Sequence, residues 1–304
     1  MRSRIAAWFA GLLAAAVLVG APAAAQDSPQ LGALTGTLRK VREAGAITLG
    51  YRENSLPFSF LDARGQPIGY SIDLCREVVD AAAEELGVAQ LAIAWRAVTP
   101  ESRIRAVAEG EVDMECGSTT SNAERQKQVA FSPVFFLAGT KLLVPRNSPV
   151  RLLRDLAGRT VVATAGTTNE AATRALSEKQ NLGIRLVTAS DHAASFARLA
   201  EGGADAFASD DVLLYGFVAT APGGSGFRVT GDYLSYDPYG LMYRRDDPAF
   251  AAVVERSFAR MAATRRLREL YTRWFLRRLP NGQRLDLPMS PQLDNIFRAL
   301  GEQE

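Results

Sequence analysis

From Ile47 onward, short apolar strands alternate with amphipathic helical stretches. Ile47, Leu49 and Tyr51 recur at every second position, the period of a strand with one buried face. Ile72, Cys75, Val78, Val79, Ala82, Ala83 and Leu86 recur at helical spacing, which predicts a helix ending at Gly87. Leu91, Ile93 and Trp95 return to the strand period. Thr99 reads as a helix N-cap, with Pro100 at the first helical position, where its missing N–H costs nothing. Val112–Cys116 is the next strand.

The second half repeats the pattern. Thr160–Thr164 reads as a strand, Gly166 as a turn, and Thr167-Thr168-Asn169-Glu170 as a capping box that opens a helix. Arg185–Thr188 is a strand followed by a helix over about 190–201, and Ala204–Ala208 is a strand running into Ser209, Asp210 and Asp211. Such alternation predicts an α/β fold of mostly parallel sheets flanked by helices, and two runs of it predict two lobes. The extended segments Phe135–Val144 and Tyr233–Tyr243 flank the second run and are the natural crossings between lobes. A long amphipathic helix, Pro248 to Phe275, follows the second crossing. With that helix packed back on the first lobe, lobe 1 is discontinuous, comprising 36–136 plus 241–280. Lobe 2 is then 137–240, two extended hinge strands join the lobes, and 281–304 is a C-terminal tail.

The start of the chain adds a location. Arg2 and Arg4 precede an apolar run from Ala6 to Val19, and Ala23-Ala24-Ala25 offers a small-residue cleavage site, the pattern of an export signal over residues 1–25. The expected product is an exported, soluble chain starting near Gln26. Removing Arg2 and Arg4 leaves basic and acidic residues equal in number. A mature chain near neutrality, with both signs interspersed, gives no reason to expect nucleic acid as a partner. Cys75 and Cys116 are the only thiols. In an oxidising compartment they suggest one bridge, the alternative being two separate buried thiols. One histidine and two cysteines make a poor metal site, and no cofactor is expected.

The chemistry is concentrated where loops follow strands, the usual ligand position in open parallel sheets. Arg52 follows the first strand, and Arg103 sits near the start of the helix capped by Thr99. Gly117-Ser118-Thr119-Thr120 follows the third strand, and Ser121-Asn122-Ala123-Glu124 reads as a second capping box, with Arg125 just inside its helix. Thr168 opens another helix, His192 lies in the first turn of the next, and Asp210 follows the last strand. Helix-opening turns rich in Gly, Ser and Thr cradle anions through free N–H groups and the helix dipole. Arg125 adds a fork for a carboxylate, and Asp210 suits an ammonium. One anion site beside one carboxylate fits an α-amino acid. Arg52, Arg103 and His192 exceed that need and point to a second carboxylate on the ligand. Each residue alone has a blander reading as a cap or solvated helix face; their shared location at strand ends carries the joint one.

Glu115-Cys-Gly-Ser-Thr-Thr-Ser-Asn-Ala-Glu-Arg-Gln-Lys-Gln128, followed by Ala130-Phe-Ser132, closely resembles the signature of the periplasmic glutamate/aspartate-binding proteins of ATP-driven (ABC) importers. Arg52-Glu-Asn-Ser-Leu-Pro-Phe-Ser59, Gly69-Tyr-Ser71, Gly166-Thr-Thr168, Asp191-His192, Asp210-Asp211 and Asp246-Asp-Pro248 match in order. The resemblance implies a type II two-lobed periplasmic binding fold, no enzymatic activity, a free amino acid as ligand (glutamate, aspartate or their amides) and an ABC transporter permease as partner to a monomer. It implies that Thr120, Arg125 and Thr168 bind the α-carboxylate, Ser118 and Asp210 the α-ammonium, and Arg52, Arg103 and His192 the side-chain carboxylate. Pro100 departs from the family pattern, which has a serine there, so one hydroxyl contact to the distal carboxylate is missing. The competing functions are a periplasmic dehydratase of prephenate-like acids on the same fold and an amino-acid sensor domain.

Overall fold

The computed structural model describes residues 34–303, so the expected export signal lies outside the described residues. Helix α1 (Gly36–Ala44) leads into β1 (Ala46–Tyr51) and a small antiparallel meander of β2 (Asn54–Ser55), β3 (Ser59–Leu61) and β4 (Pro67–Ile68). Next come α2 (Tyr70–Glu85), β5 (Ala92–Ala97), α3 (Arg103–Ala108), β6 (Met114–Glu115), α4 (Ala123–Gln126) and β7 (Val129–Phe131). Strands β8 (Phe136–Ala138) and β9 (Thr140–Pro145) precede β10 (Thr160–Thr164), α5 (Thr168–Lys179), β11 (Arg185–Ala189) and α6 (His192–Ala200). They are followed by β12 (Ala206–Asp210), α7 (Asp211–Thr220) and β13 (Phe227–Thr230). The chain returns through β14 (Asp237–Tyr239) and β15 (Met242–Arg244) to α8 (Pro248–Ala263), α9 (Arg266–Tyr271) and α10 (Pro291–Ala299).

Two five-stranded sheets result, ordered β5-β1-β6-β15-β7 and β11-β10-β12-β9-β13. In each, one strand opposes the other four: β15 in the first, β9 in the second. These are the strands entered from β14 and β8, which pair antiparallel as a separate two-stranded ribbon. The crossing chain thus enters each sheet from the end opposite to its β-α units, which reverses it.

Burial follows the sequence pattern. In the second sheet, Leu142, Val144, Val161, Ala206 and Ala208 fill one face, while Leu143, Val162 and Phe207 fill the other. Near-continuous apolar strands buried on both faces need helices on both sides. The first lobe is held by an aromatic cluster. Phe58 lies 4.9 Å from Phe136 and 5.1 Å from Tyr239, and Phe136 stacks on Phe275 at 5.0 Å between ring centres. Phe136 belongs to β8 and Tyr239 to β14, so the ribbon is anchored in the first core. Truncating a buried phenylalanine there removes about 3–5 kcal/mol.

Three local features depart from the sequence pattern. The expected helix from Pro248 to Phe275 breaks at Arg265, which adopts a left-handed φ of 61° between α8 and α9, and 272–276 winds as a π turn. The break re-aims the segment so that Leu267, Leu270, Tyr271, Trp274 and Phe275 are all buried. Regular helix also starts later than expected after Thr99. Thr99 Oγ1 accepts from the Ser102 N–H at 3.1 Å and the Ser102 hydroxyl accepts from the Thr99 N–H at 3.0 Å, closing a separate turn before α3. Finally, the cap of α4 is Asn122 rather than Ser121, its side chain accepting from Arg125 N at 2.9 Å.

Cys75 and Cys116 form a disulfide that ties α2 to the residue after β6. It closes a loop with a sequence separation of 41, worth about 3–4 kcal/mol by loop-closure entropy. It thereby fixes the start of the Gly117–Thr120 turn. The C-terminal segment is packed as well. Leu293 and Phe297 of α10 join the first core, and Arg268 pairs with Asp294 and Glu302, each at 2.5 Å. Among the described residues, no helix is long and apolar enough to cross a membrane.

Candidate functional site

The C-terminal ends of the parallel strands in the two sheets face one cleft, and every candidate ligand residue sits there. β1 leads to Arg52, the turn after β6 carries Ser118 and Thr120, Arg103 opens α3, and Arg125 lies in the single turn of α4. From the other lobe come Thr168 at the start of α5, His192 at the start of α6, and Asp210 at the end of β12. All except Thr168 are buried, and Thr168 is half-buried.

One half of the site is a hydrogen-bonded bridge between lobes. Arg125 donates to the carbonyls of Thr120 at 2.9 Å and of Gly166 at 3.3 Å. Thr120 Oγ1 lies 3.3 Å from Thr168 Oγ1 and donates to Asp237 at 3.1 Å. Asp210 accepts from Asn169 at 2.9 Å and from the Tyr239 hydroxyl at 2.5 Å. Burial pushes the Asp210 carboxyl up to about 7, helped by the charge of nearby Asp237. A cationic partner would restore its ionised form, since a buried carboxylate is costly only while unpaired.

The other half is a concentration of positive charge. Burial and the adjacent Arg103 charge push Arg52 down to about 9, against the raising influence of Glu115 and Asp191. Arg125 falls to about 10, from burial first and the Arg103 charge second. Burial lowers Arg103 as well, opposed chiefly by Glu115. His192 is held well below the ordinary histidine value by burial and by the charges of Arg52 and Arg103. Its ring Nδ1 lies 2.8 Å from Thr164 Oγ1. Arg103 donates to the Ser118 carbonyl at 3.1 Å. Arg52 Nη1, Arg103 Nε, Glu115 Oε1 and Ser118 Oγ are buried without a protein partner. Each such orphan costs about 1–3 kcal/mol, more when charged. Arg52 Nη1 and Arg103 Nε are donors that an anion could accept from, whereas Glu115 Oε1 can only accept.

Two glycines set the walls. A Cβ on Gly117 would lie 2.2 Å from Glu115 Oε1 and 2.9 Å from Arg52 Cγ, so only glycine lets those side chains pack at the turn. Gly166 adopts φ +74°, and a Cβ there would lie 2.9 Å from Glu101 Cα and 3.1 Å from the Pro100 carbonyl oxygen in the opposite lobe. The Pro100 turn therefore meets Gly166 where the lobes touch. Gly166→Ala is expected to weaken ligand binding about tenfold or more, the equivalent of about 1.4 kcal/mol lost from the lobe contact. Titration calorimetry measures it.

The family described as bacterial extracellular solute-binding proteins, family 3, matches residues 47–277. The chain belongs to that family. The L-glutamate/L-aspartate-binding protein of Pseudomonas aeruginosa is 42% identical over 93% of this chain and 93% of its own length. The glutamate/aspartate import solute-binding protein of Escherichia coli is 34% identical over 94% of each. Among solved structures, an ancestral arginine-binding protein bound to arginine matches with a TM-score of 0.68 at 26% identity, covering 76% of this chain and 98% of its own. The fold is the two-lobed type II periplasmic binding fold, and the chain is a solute-binding protein rather than an enzyme, as the sequence led us to expect.

In this solute-binding protein, four residues of the site escaped the sequence reading. In the sequence Glu115 reads only as a general acid for the competing enzymatic function, yet it is fully buried and its charge bears on Arg52, Arg103 and Arg125. Asn169 lay inside a capping box that already explained it. Asp237 and Tyr239 sit in an extended segment whose β composition gave no chemical cue.

Proposed function

We propose that this protein captures an acidic amino acid, glutamate or aspartate, between its lobes and delivers it to the permease of an ABC importer in the periplasm. The observation that carries the reading is the gathering of buried Arg52, Arg103, Arg125 and His192 with the Asp210 carboxylate at facing strand and helix ends. Arg125, Thr120 and Thr168 hold the α-carboxylate, and Asp210 and Ser118 take the α-ammonium. Arg52, Arg103 and His192 hold the side-chain carboxylate. The names of the Pseudomonas aeruginosa and Escherichia coli relatives support the same ligand class.

Residues 36–136 plus 241–280 act as one lobe and 137–240 as the other, with β8 and β14 as the hinge. Closing the lobes removes water from the cleft and strengthens each charge pair. The protein acts as a monomer, after removal of the export signal at residues 1–25.

A thermal-shift panel over the standard amino acids and small dicarboxylic acids tests the ligand class. A ligand at a thousand times its Kd adds about 4 kcal/mol of stability. In a chain of this size that is worth about 8–16 °C in Tm. Glutamate and aspartate are expected to give such a shift and basic amino acids none. A larger shift with arginine or with an apolar amino acid would refute the assignment.

A further inference from the structure

We propose that Thr164 and Ser195 are positioning residues that place the proton of the neutral His192 ring on Nδ1, so that capture of an acidic side chain brings one proton into the cleft with it. The proton coupling rests on the acidic-ligand reading above; the tautomer assignment stands on geometry alone.

Three contacts in series decide where the protons lie. His192 Nδ1 is 2.8 Å from Thr164 Oγ1, Thr164 Oγ1 is 2.9 Å from Ser195 Oγ, and Ser195 Oγ is 3.0 Å from the Asp191 carbonyl oxygen. A carbonyl only accepts, and each hydroxyl has one proton to give. The Asp191 carbonyl also accepts from Ser195 N–H at 3.0 Å, and all three contacts are hydrogen bonds at once only when the Ser195 hydroxyl donates to Asp191. Thr164 must then donate to Ser195, which leaves its oxygen only as an acceptor toward His192. The ring proton is on Nδ1. Thr164, His192 and Ser195 are all buried, so water does not compete for these positions.

In this tautomer the neutral ring turns a lone pair, Nε2, toward its remaining surroundings. The charged groups that bear on it are Arg52 after β1 and Arg103 on α3, with Glu115 at the end of β6 acting on both arginines. On its own lobe, Asp191 caps α6, accepting from Ala194 N at 2.8 Å, and Asp210 ends β12. Burial first, and then the charges of Arg52 and Arg103, hold the ring neutral.

A carboxylate has only acceptor oxygens, so it repels a lone pair at Nε2. It is held there only when the ring gains a second proton, with Nδ1–H on Thr164 and Nε2–H on the ligand. An amide side chain has N–H groups and can donate to the neutral ring. Charge balance leads to the same end. The buried cleft residues Arg52, Arg103 and Arg125 are matched in number by Glu115, Asp210 and Asp237. A dicarboxylic amino acid carries one net negative charge, and a proton on His192 offsets it. The relay thus makes His192 distinguish acid from amide by proton uptake.

His192 is the sole histidine in the chain, so ring nitrogen resonances of ¹⁵N-histidine-labelled mature protein report on it without ambiguity. At pH 7.5 the free protein is expected to show the neutral Nδ1–H tautomer. Saturating L-glutamate should protonate both nitrogens, whereas saturating L-glutamine should leave the neutral ring. Calorimetry in buffers of different ionisation enthalpy should show about one more proton taken up with glutamate than with glutamine; any change at Asp210 is common to both ligands and cancels. By linkage, the glutamate Kd should rise up to about tenfold per pH unit above neutrality while the glutamine Kd stays flat. Ser195→Ala frees the Thr164 hydroxyl to donate to Nδ1 and should switch the free protein to the Nε2–H tautomer, an effect that loss of packing alone would not produce. An Nε2–H ring in the free wild-type protein would overturn the positioning role whether or not any ligand binds. Glutamate bound against a neutral ring would overturn the coupling and leave the ligand assignment standing. Absence of any glutamate binding would overturn the ligand assignment and the coupling together, and leave the tautomer result to stand or fall separately.

Discussion

Arg125→Ala is expected to raise the Kd for glutamate by about a thousandfold and that for glutamine by a similar factor. Its two bonds, to Thr120 in its own lobe and Gly166 in the other, make its guanidinium a link across the cleft. A ligand α-carboxylate placed against it would gain a charge-assisted pair in a dry site, and removing one partner of such a pair costs about 2–5 kcal/mol. The larger end of that range applies because alanine also unlinks the lobe contact on which closure depends. About 4 kcal/mol corresponds to the thousandfold factor. Every α-amino acid carries the same carboxylate, so acid and amide ligands should suffer alike. Titration calorimetry on both ligands checks this, and a loss confined to glutamate would place Arg125 at the wrong end of the ligand.

Arg103→Ala should behave differently. It is expected to weaken glutamate about 30- to 100-fold and glutamine less than about threefold, since about 2–3 kcal/mol is lost only where a second carboxylate was paired. Arg103 is also the cation that, after burial, depresses both Arg52 and Arg125. Its removal relieves that like-charge repulsion but takes a donor from the buried Ser118 carbonyl and a cation from Glu115, so the two effects oppose and the Tm of the ligand-free protein should change little. Sites built for ligands carry strain of this kind. Equal losses for the two ligands, or a large drop in Tm without ligand, would contradict the role.

Much of this was legible in the chain itself, for identifiable reasons. The alternation at Ile47, Leu49 and Tyr51 and the helical spacing from Ile72 to Leu86 are local signals, and both elements formed as their periods predict. Strand ends are fixed by such local signals, so the residues just beyond them could be named in advance. Contacts between segments far apart in sequence were less legible. Thr120 meets Asp237 across a separation of 117 residues, and Tyr239 meets Asp210 across 29, and no spacing rule reports such pairs. The break at Arg265 was hidden for a related reason. Thr264 and Arg265 are ordinary helix residues, and only the demand to bury Trp274 and Phe275 against the first lobe turns the chain there.

The cleft described above should select an amino acid with two carboxylates. Titration calorimetry of the mature protein with L-glutamate, L-aspartate, L-glutamine and L-arginine at one pH and low salt tests it most directly. Glutamate and aspartate should bind saturably and one-to-one, and glutamine more weakly. Arginine, whose side chain would face Arg52 and Arg103, should not bind. Saturable binding of arginine, or no saturable heat from either acidic amino acid, would contradict that selectivity.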